Sequence, residues 1–232
     1  MRAVWKFGVG VLFGVWVLGL GISAPPLRAA ALSPALTSFL AAQTNLHTWT
    51  AELTQIRRLK TLTQPLTATG RVWFAAPNKF RWEIGQPAQT IAVRGRDELL
   101  VIYPRLKRVE RYPLAGEGMG QWKDTLALLE AGFPRSQAEM EKRFKIVSVT
   151  ATNDVNNLVL QPRSSSARRL MPRITLSATT NNFQLRATEL EFGDGSTMRN
   201  EFHHAELNPP LDEAIFAPKL DPDFKIVEPM KR

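Results

Sequence analysis

Apolar and polar positions alternate along most of this 232-residue chain, and the places where the alternation fails divide it into parts. "LSPALTSFLAAQTNL" has a helical period: Ser33 can cap, Pro34 suits the first helical position, and Leu36, Phe39 and Leu40 share a face. From "WTAELTQIRRLK" onward the period drops to two, with Trp49, Ala51 and Leu53 on one side and Thr50, Glu52 and Thr54 on the other. "GRVWFA", "FRWEI", "QTIAVR", "ELLVIY" and "KRVERY" follow, separated by Pro-Asn, Gly-Gln-Pro, Arg-Gly-Arg-Asp and Pro-Arg-Leu turns, which predicts an antiparallel meander. "VWF" and "LLVIY" are apolar on both faces, so each side of the sheet needs a cover there.

Residues 121–144 interrupt the rhythm with two short helical patterns, "QWKDTLALLEAGF" and "SQAEMEKRF". Trp122, Leu126 and Leu129 form one stripe, and Gly116, Gly118 and Gly120 read as a hinge before it. Strands resume in "KIVSVTA", "NNLVLQP", "RITLSAT", "FQLRATELEF" and "TMRNEFHHAEL", the last two joined by a Gly193-Asp194-Gly195 turn. "SSSARR" at 164–169 reads as a polar loop and "LDEAIFAP" as at most one helical turn. The expected architecture is mainly β: a single curved antiparallel sheet or half-barrel of about eleven strands, with helices against one face.

Four large rings, Trp73, Phe74, Phe80 and Trp82, fall within ten residues. On "FRWEI", Phe80, Trp82 and Ile84 share a face that Arg81 and Glu83 do not. Ile91 and Val93 of the next strand, and Leu99, Val101 and Tyr103 of the one after, are expected to extend that apolar surface, with Trp49 and Leu53 joining it. Rings and charges on opposite faces argue against base stacking and leave a packed core or a lined cavity.

The N-terminus changes the picture of compartment. "MRAVWK" is basic, Phe7 to Ile22 is uncharged and glycine-rich, and "SAPPLRAAA" supplies small residues, the layout of a secretory signal peptide. The expected boundaries are a signal peptide at 1–31 and one domain at 32–232; the other reading of this run is a retained anchor. Loss of residues 1–31 removes three basic residues and no acid, reducing the net charge from +9 to +6. With no cysteine, neither disulfides nor thiolate metal sites are available. An exported basic protein meets anionic lipid or acidic partners, and no nucleic acid is expected.

Candidate chemistry is sparse. His47, His203 and His204 stand beside no nucleophile motif, and the adjacent pair should point to opposite strand faces. Glu189 and Glu191 share a face about 7 Å apart, but Arg199 is expected opposite them, so a solvated strand face is the better reading than a glycosidase pair. No metal or cofactor spacing occurs, and a binding protein is expected rather than an enzyme.

"GRVWFAAPNKFRWEIGQPAQTIAVRGRDELLVIYPRLKRVERYPL" resembles the signature region of the LolA family of periplasmic lipoprotein carriers. Gly70, Trp73, Pro77, Asn78, Phe80, Trp82, Pro87, Leu100, Tyr103 and Pro104 fill its positions, and the C-terminal "TELEFGDGSTMRNEF" and "LNPPLDEAIFAPKLDPDFKIVEP" are also similar. The resemblance implies a half-barrel with a helical lid (Trp122, Leu126, Leu129) over a cavity that takes the acyl chains of lipoproteins. The chains would come from an inner-membrane ABC transporter and pass to an outer-membrane acceptor, with the carrier a periplasmic monomer needing no cofactor. The implied lining is Trp49, Leu53, Trp73, Phe80, Trp82, Ile84, Ile91, Val93, Leu99, Val101 and Tyr103. A carrier of another lipid or glycolipid, or a lipid-sensing regulatory module of the same fold, is the alternative. The family's lid-latching Arg, directly before Pro-Asn, is here Ala76.

Overall fold

The computed structural model describes residues 34–114, 134 and 136–229. The expected signal peptide, Ser33, the Gly116–Gly120 hinge and the first mid-chain helix with Trp122, Leu126 and Leu129 lie outside the described residues.

Helix α1 (Pro34–Thr44) precedes six strands in succession: β1 (Thr48–Arg58), β2 (Leu66–Ala75), β3 (Lys79–Ile84), β4 (Thr90–Arg94), β5 (Glu98–Tyr103) and β6 (Arg108–Pro113). Helix α2 (Gln137–Arg143) opens with Ser136, whose hydroxyl accepts from the Glu139 N–H at 3.1 Å, the Ser-x-x-Glu arrangement that satisfies a free first-turn donor. Strands β7 (Phe144–Thr152) and β8 (Val155–Pro162) come next, turned at Asn153 and Asp154, both left-handed. Asn and Asp tolerate that conformation better than other non-glycine residues, so the tight hairpin forms there. Residues 164–169, expected as loop, instead hold helix α3 (Ser165–Leu170), capped by Ser164 through the Ala167 N–H. Strands β9 (Arg173–Thr179), β10 (Leu185–Glu191) and β11 (Thr197–Leu207) complete the main series.

All strands belong to one open, curved sheet in the order β12-β6-β5-β4-β3-β2-β1-β11-β10-β9-β8-β7. Every pairing is antiparallel but one: β12 (Lys225–Val227), a twelfth strand that the sequence reading did not anticipate, runs parallel to β6 and makes the sheet mixed. The two halves of the sheet are joined where β1 pairs with β11, through a ladder that runs from Trp49 opposite Leu207 to Arg58 opposite Thr197.

Both faces are covered. On the inner face, Leu36, Phe39 and Leu40 of α1 and Met140 of α2 pack against Trp49, Leu53, Val72, Leu160, Ile174, Leu176 and Phe202. On the outer face of β3 to β6 the cover is the chain after β11. A 3₁₀ turn at Glu213–Phe216 buries Phe216, the Arg81 guanidinium donates to the Ile215 carbonyl at 3.2 Å, and Leu220 and Phe224 lie on Val93, Leu100, Ile102 and Val109. Ion pairs Lys79–Glu213 and Lys107–Asp223 hold this strap at both ends. The doubly apolar "LLVIY" run is thereby explained: Leu99 and Val101 face in, Leu100 and Ile102 face the strap.

Gly70 sits where β2 and β3 approach most tightly. A Cβ there would lie 1.9 Å from the Glu83 carbonyl oxygen, a backbone atom that cannot move without the strand. Gly70→Ala should therefore cost at least about 1–3 kcal/mol, read as a lower denaturant midpoint; an unchanged midpoint would show that β2 and β3 can separate freely at this point.

Candidate functional site

Directly opposed residues in an antiparallel pair project to the same side, so the registers assign each ring to a face. Trp49 pairs with Phe74, Phe74 with Phe80, Val72 with Trp82, Gly70 with Ile84, Trp82 with Ala92, and Ala92 with Val101. Leu53 pairs with Phe202 of β11. Of the residues expected to form a lining, Trp49, Leu53, Phe80, Trp82, Ile84, Leu99, Val101 and Tyr103 thus share the inner face.

Three do not. Trp73 opposes Arg81, Val93 also opposes Arg81, and Ile91 opposes Glu83, which puts all three on the outer face. Val93 and Ile91 belong to the cluster under the strap, and Trp73 carries the Arg71 guanidinium over its ring at 5.2 Å. The expected lining is corrected accordingly. The reason is phase: alternation within a strand is visible in sequence, but the turn between Ile84 and Thr90 decides which parity of β4 continues the face of β3, and a one-residue difference inverts it.

The inner face is two apolar clusters joined by one ring. Trp49, Leu53 and Phe202 belong to the large cluster beneath α1 and α2; Phe80, Leu99 and Tyr112 form a second on β3 to β6, flanked by Ala92, Val101 and Leu114. Trp82 packs against both. Phe202 stands between the two tryptophans, edge-on to Trp49 (centroids 5.1 Å apart, planes at 81°) and to Trp82 (5.9 Å, 75°). Such T-shaped contacts orient ring edges onto π faces and fix the ring geometry as well as burying area. Phe202 was missed from sequence because it lies 120 residues beyond Trp82 in a strand dense with polar residues; only the β1–β11 register brings it there.

Polar groups border this surface. Gln55 donates to Asn200 at 3.0 Å and Asn200 to the Thr188 hydroxyl at 3.1 Å, a partly buried polar ladder across β1, β11 and β10 centred on buried Asn200. At the β6 side, the Tyr112 hydroxyl donates to Glu110 at 2.7 Å, and Glu110 pairs with Arg108 at 2.6 Å. Burial, then the Glu110 hydrogen bond, pushes the Tyr112 phenol well above its ordinary range; burial and the Glu110 charge raise Tyr103 as well. Tyr103 therefore sits on a polar margin rather than within the apolar strip. Arg94 lies half-buried on the inner face opposite Phe80 and Leu99, its pKa lowered first by desolvation and then by the nearby Arg143 charge.

Ala76 packs against the large cluster and donates its N–H to the His47 carbonyl at 2.7 Å. Of the two basic residues of β3, Lys79 pairs with Glu213 and Arg81 is committed on the outer face to Glu83 at 2.6 Å.

Of the adjacent pair His203 and His204, one was expected to be solvent-facing and the other half-buried, and that expectation is corrected. His204 has left-handed backbone (φ 48°) at a bulge in the β1–β11 ladder, and both rings are exposed. His204 lies 2.9 Å from Glu52, whose carboxyl it holds below the usual range. Glu189 meets Arg199 at 3.3 Å, as the hairpin predicted, and Arg199 also binds Glu201 at 2.8 Å. Among the described residues no three His, Asp or Glu side chains converge as metal ligands. A pocket of about 130 Å³ lies beside Trp49, between the end of α1 and the β9–β10 turn. It is smaller than the roughly 300–1,000 Å³ usual for ligand sites.

The profile of the outer membrane lipoprotein carrier protein LolA family matches residues 44–219. This chain belongs to the LolA family. An outer-membrane lipoprotein carrier protein of Chromohalobacter salexigens is 26% identical over 149 residues, covering 64% of this chain and 65% of the relative, so the likeness spans just under two thirds of that protein. An uncharacterized conserved protein of Thermus thermophilus is similar in structure, with 10% identity, 84% of this chain and 96% of that one covered, and a TM-score of 0.49. A LolA superfamily protein of Nitrosomonas europaea has 11% identity, 80% and 98% coverage and a TM-score of 0.41. The family's name is that of a carrier of lipoproteins, and the inner face of this LolA-family chain is apolar.

Because Phe202 braces both tryptophans, Phe202→Ala should lower stability by about 3–5 kcal/mol and shift tryptophan emission to the red. Calorimetry and fluorescence would read both; an unchanged melt would mean that the ring is not a keystone of the inner face.

Proposed function

We propose that this protein is a periplasmic carrier that binds the acyl chains of lipoproteins against its inner face. It would accept them from an inner-membrane ABC transporter and deliver them to an outer-membrane acceptor, acting as a monomer without cofactor or catalytic step. The observation that carries the reading is the continuous apolar strip Trp49–Phe202–Trp82–Phe80–Leu99 in a chain of the lipoprotein carrier family. An acyl chain of about fifteen methylenes gains roughly 0.8 kcal/mol each on leaving water, about 12 kcal/mol in all, so a carrier competing with a membrane must offer comparable surface.

That surface is filled by the protein itself in this structure. Trp49 and Leu53 are each 1% exposed and Leu99 2% exposed. Loading therefore requires side chains or covering helices to give way, so that the apolar area surrendered by the cover is recovered by the cargo. With Ala76 at the family's latch position, the closed form of this chain relies on apolar packing of α1 and α2 to a greater degree than a latched carrier would.

The test is a release assay. The exported protein is added to spheroplasts that retain a labelled triacylated lipoprotein, and the soluble fraction is examined for a one-to-one complex. The half-buried inner-face variant Val101→Glu should reduce release at least about tenfold while melting close to the parent protein. Release undiminished in that variant would remove the inner face as the acyl site. Phospholipid or glycolipid extracted from the protein, without lipoprotein release, would replace the cargo while leaving the site.

A further inference from the structure

The connections at one end of the sheet differ in charge from those at the other. At one end, residues 57–66, 103–108 and 163–173 carry ten Arg and Lys and no Asp or Glu, and the segments beside them add Asp194 near Lys60 and Asp221 and Asp223 near Lys107. At the other, Lys79, Arg94 and Arg96 are matched by Asp97, Glu98 and Asp154. Some of the basic set is neutralised locally: Arg173 lies 3.7 Å from Glu191, Arg108 2.6 Å from Glu110, and Lys107 pairs with Asp223. Arg57, Arg58, Arg105, Arg168 and Arg169 are exposed and have no ion-pair partner among the described residues, while exposed Lys60 lies in the field of Asp194, whose carboxyl it helps to hold below the usual range.

The same connections hold exposed leucines. Leu62 is 47% exposed, Leu66 48%, Leu106 70% and Leu170 52%, each within a few residues of those cations. Single exposed apolar residues are ordinary, but four leucines interleaved with uncompensated cations at one end of a molecule form a pattern. The scaffold beneath them is firm. The Gly193 N–H donates to the Leu170 carbonyl at 2.9 Å, and a Cβ on Gly193 would meet the Arg169 carbonyl oxygen at 2.1 Å, so the end of α3 is seated on the β10–β11 turn. From the other side the Lys60 N–H reaches the Ser196 hydroxyl at 3.3 Å. Leu62, Leu66, Leu170, Lys60, Arg168 and Arg169 thus flank one turn, with Leu106 and Arg105 at the same end farther along the sheet.

We infer that this end of the protein docks on the surface of an anionic lipid bilayer. Arg and Lys without local acids are attracted to anionic headgroups, and leucines at separate loop tips enter the headgroup boundary without needing a preformed groove. A rigid acidic protein would satisfy the cations but leave dispersed leucines on different connections without a common pocket. The inference stands on charge and exposure at one end of the sheet and is independent of what the inner face carries.

The test is flotation of the protein with phosphatidylethanolamine–phosphatidylglycerol vesicles and, separately, with neutral phosphatidylcholine vesicles. Any contribution of residues 1–31 is common to every chain compared. Binding should favour the anionic vesicles at least about tenfold and fall as salt is raised. Lys60→Glu/Arg168→Glu/Arg169→Glu should abolish that preference, and Leu62→Ser/Leu170→Ser should weaken binding several-fold, both with an unchanged thermal melt because the residues are exposed. Equal affinity for both vesicle types, or a charge-reversed chain that binds like the parent, would overturn the inference. Binding of an acidic polypeptide such as polyglutamate without vesicle binding would overturn it in favour of an acidic protein surface. None of these readouts involves cargo transfer, so an inert inner face and an inert basic end are distinguishable.

Discussion

A sheet that is apolar on both sides must be covered twice, and the architecture of this protein follows from how the two covers are supplied. The inner face receives α1 and α2, short helices whose own apolar stripes, Leu36–Phe39–Leu40 and Met140, are too small to be stable alone. Among the described residues the outer face of β3 to β6 receives no α-helix; the C-terminal strap buries Phe216, Leu220 and Phe224 there and ends as a parallel strand on β6. That strand also occupies an otherwise open edge, where unpaired backbone groups invite association with another chain. The two covers differ in kind. The strap is tied by backbone pairing and by ion pairs at its ends, whereas α1 packs on the inner face through the apolar side chains of Leu36, Phe39 and Leu40, and apolar contacts are the ones an acyl chain can replace.

This asymmetry bears on the proposed exchange of the inner-face cover for an acyl chain. A permanently open apolar trough would be unsatisfied in water and would bind whatever apolar surface it met. A face closed by its own side chains pays no such penalty, and exchange with cargo swaps one set of dispersion contacts and buried area for another of similar size. The Trp49–Phe202–Trp82 stack gives that exchange a fixed floor, since its edge-to-face geometry is held by three different strands rather than by the cover.

Much of this was legible in the sequence, and the failures have a common cause. The eleven main strands, α1 and α2 followed from period and capping residues, because those are properties of short segments. The inner position of Phe80, Trp82 and Ile84 followed from alternation within one strand. Trp73, Ile91 and Val93 were assigned to the wrong face, and Phe202 was overlooked, because both errors concern relations between strands: turn parity fixes the phase of β4 against β3, and the β1–β11 ladder joins segments about 150 residues apart. β12 is three residues long and has no periodicity to detect; it exists because β6 offers an edge and the strap brings the chain there. Helix α3 was hidden by three serines that read as loop, one of which turned out to be its cap.

The family's motif residues acquire separate physical reasons once the faces are known, and the reasons do not all concern binding. Gly70 is required by the close approach of two strands, and Trp73 stacks under Arg71 on the outer surface, so neither need touch cargo. Phe80 and Trp82, from the same stretch, occupy the inner clusters. A motif read only as a binding signature would therefore mix scaffold with site. Ala76 shows the converse: it adds a methyl to the core and a backbone hydrogen bond to His47, so the local fold is supported there without a side-chain charge. Arg94, half-buried on the inner face opposite Phe80, has its pKa lowered by desolvation and then by the Arg143 charge, so a cation stands within the apolar surface at a position outside the motif.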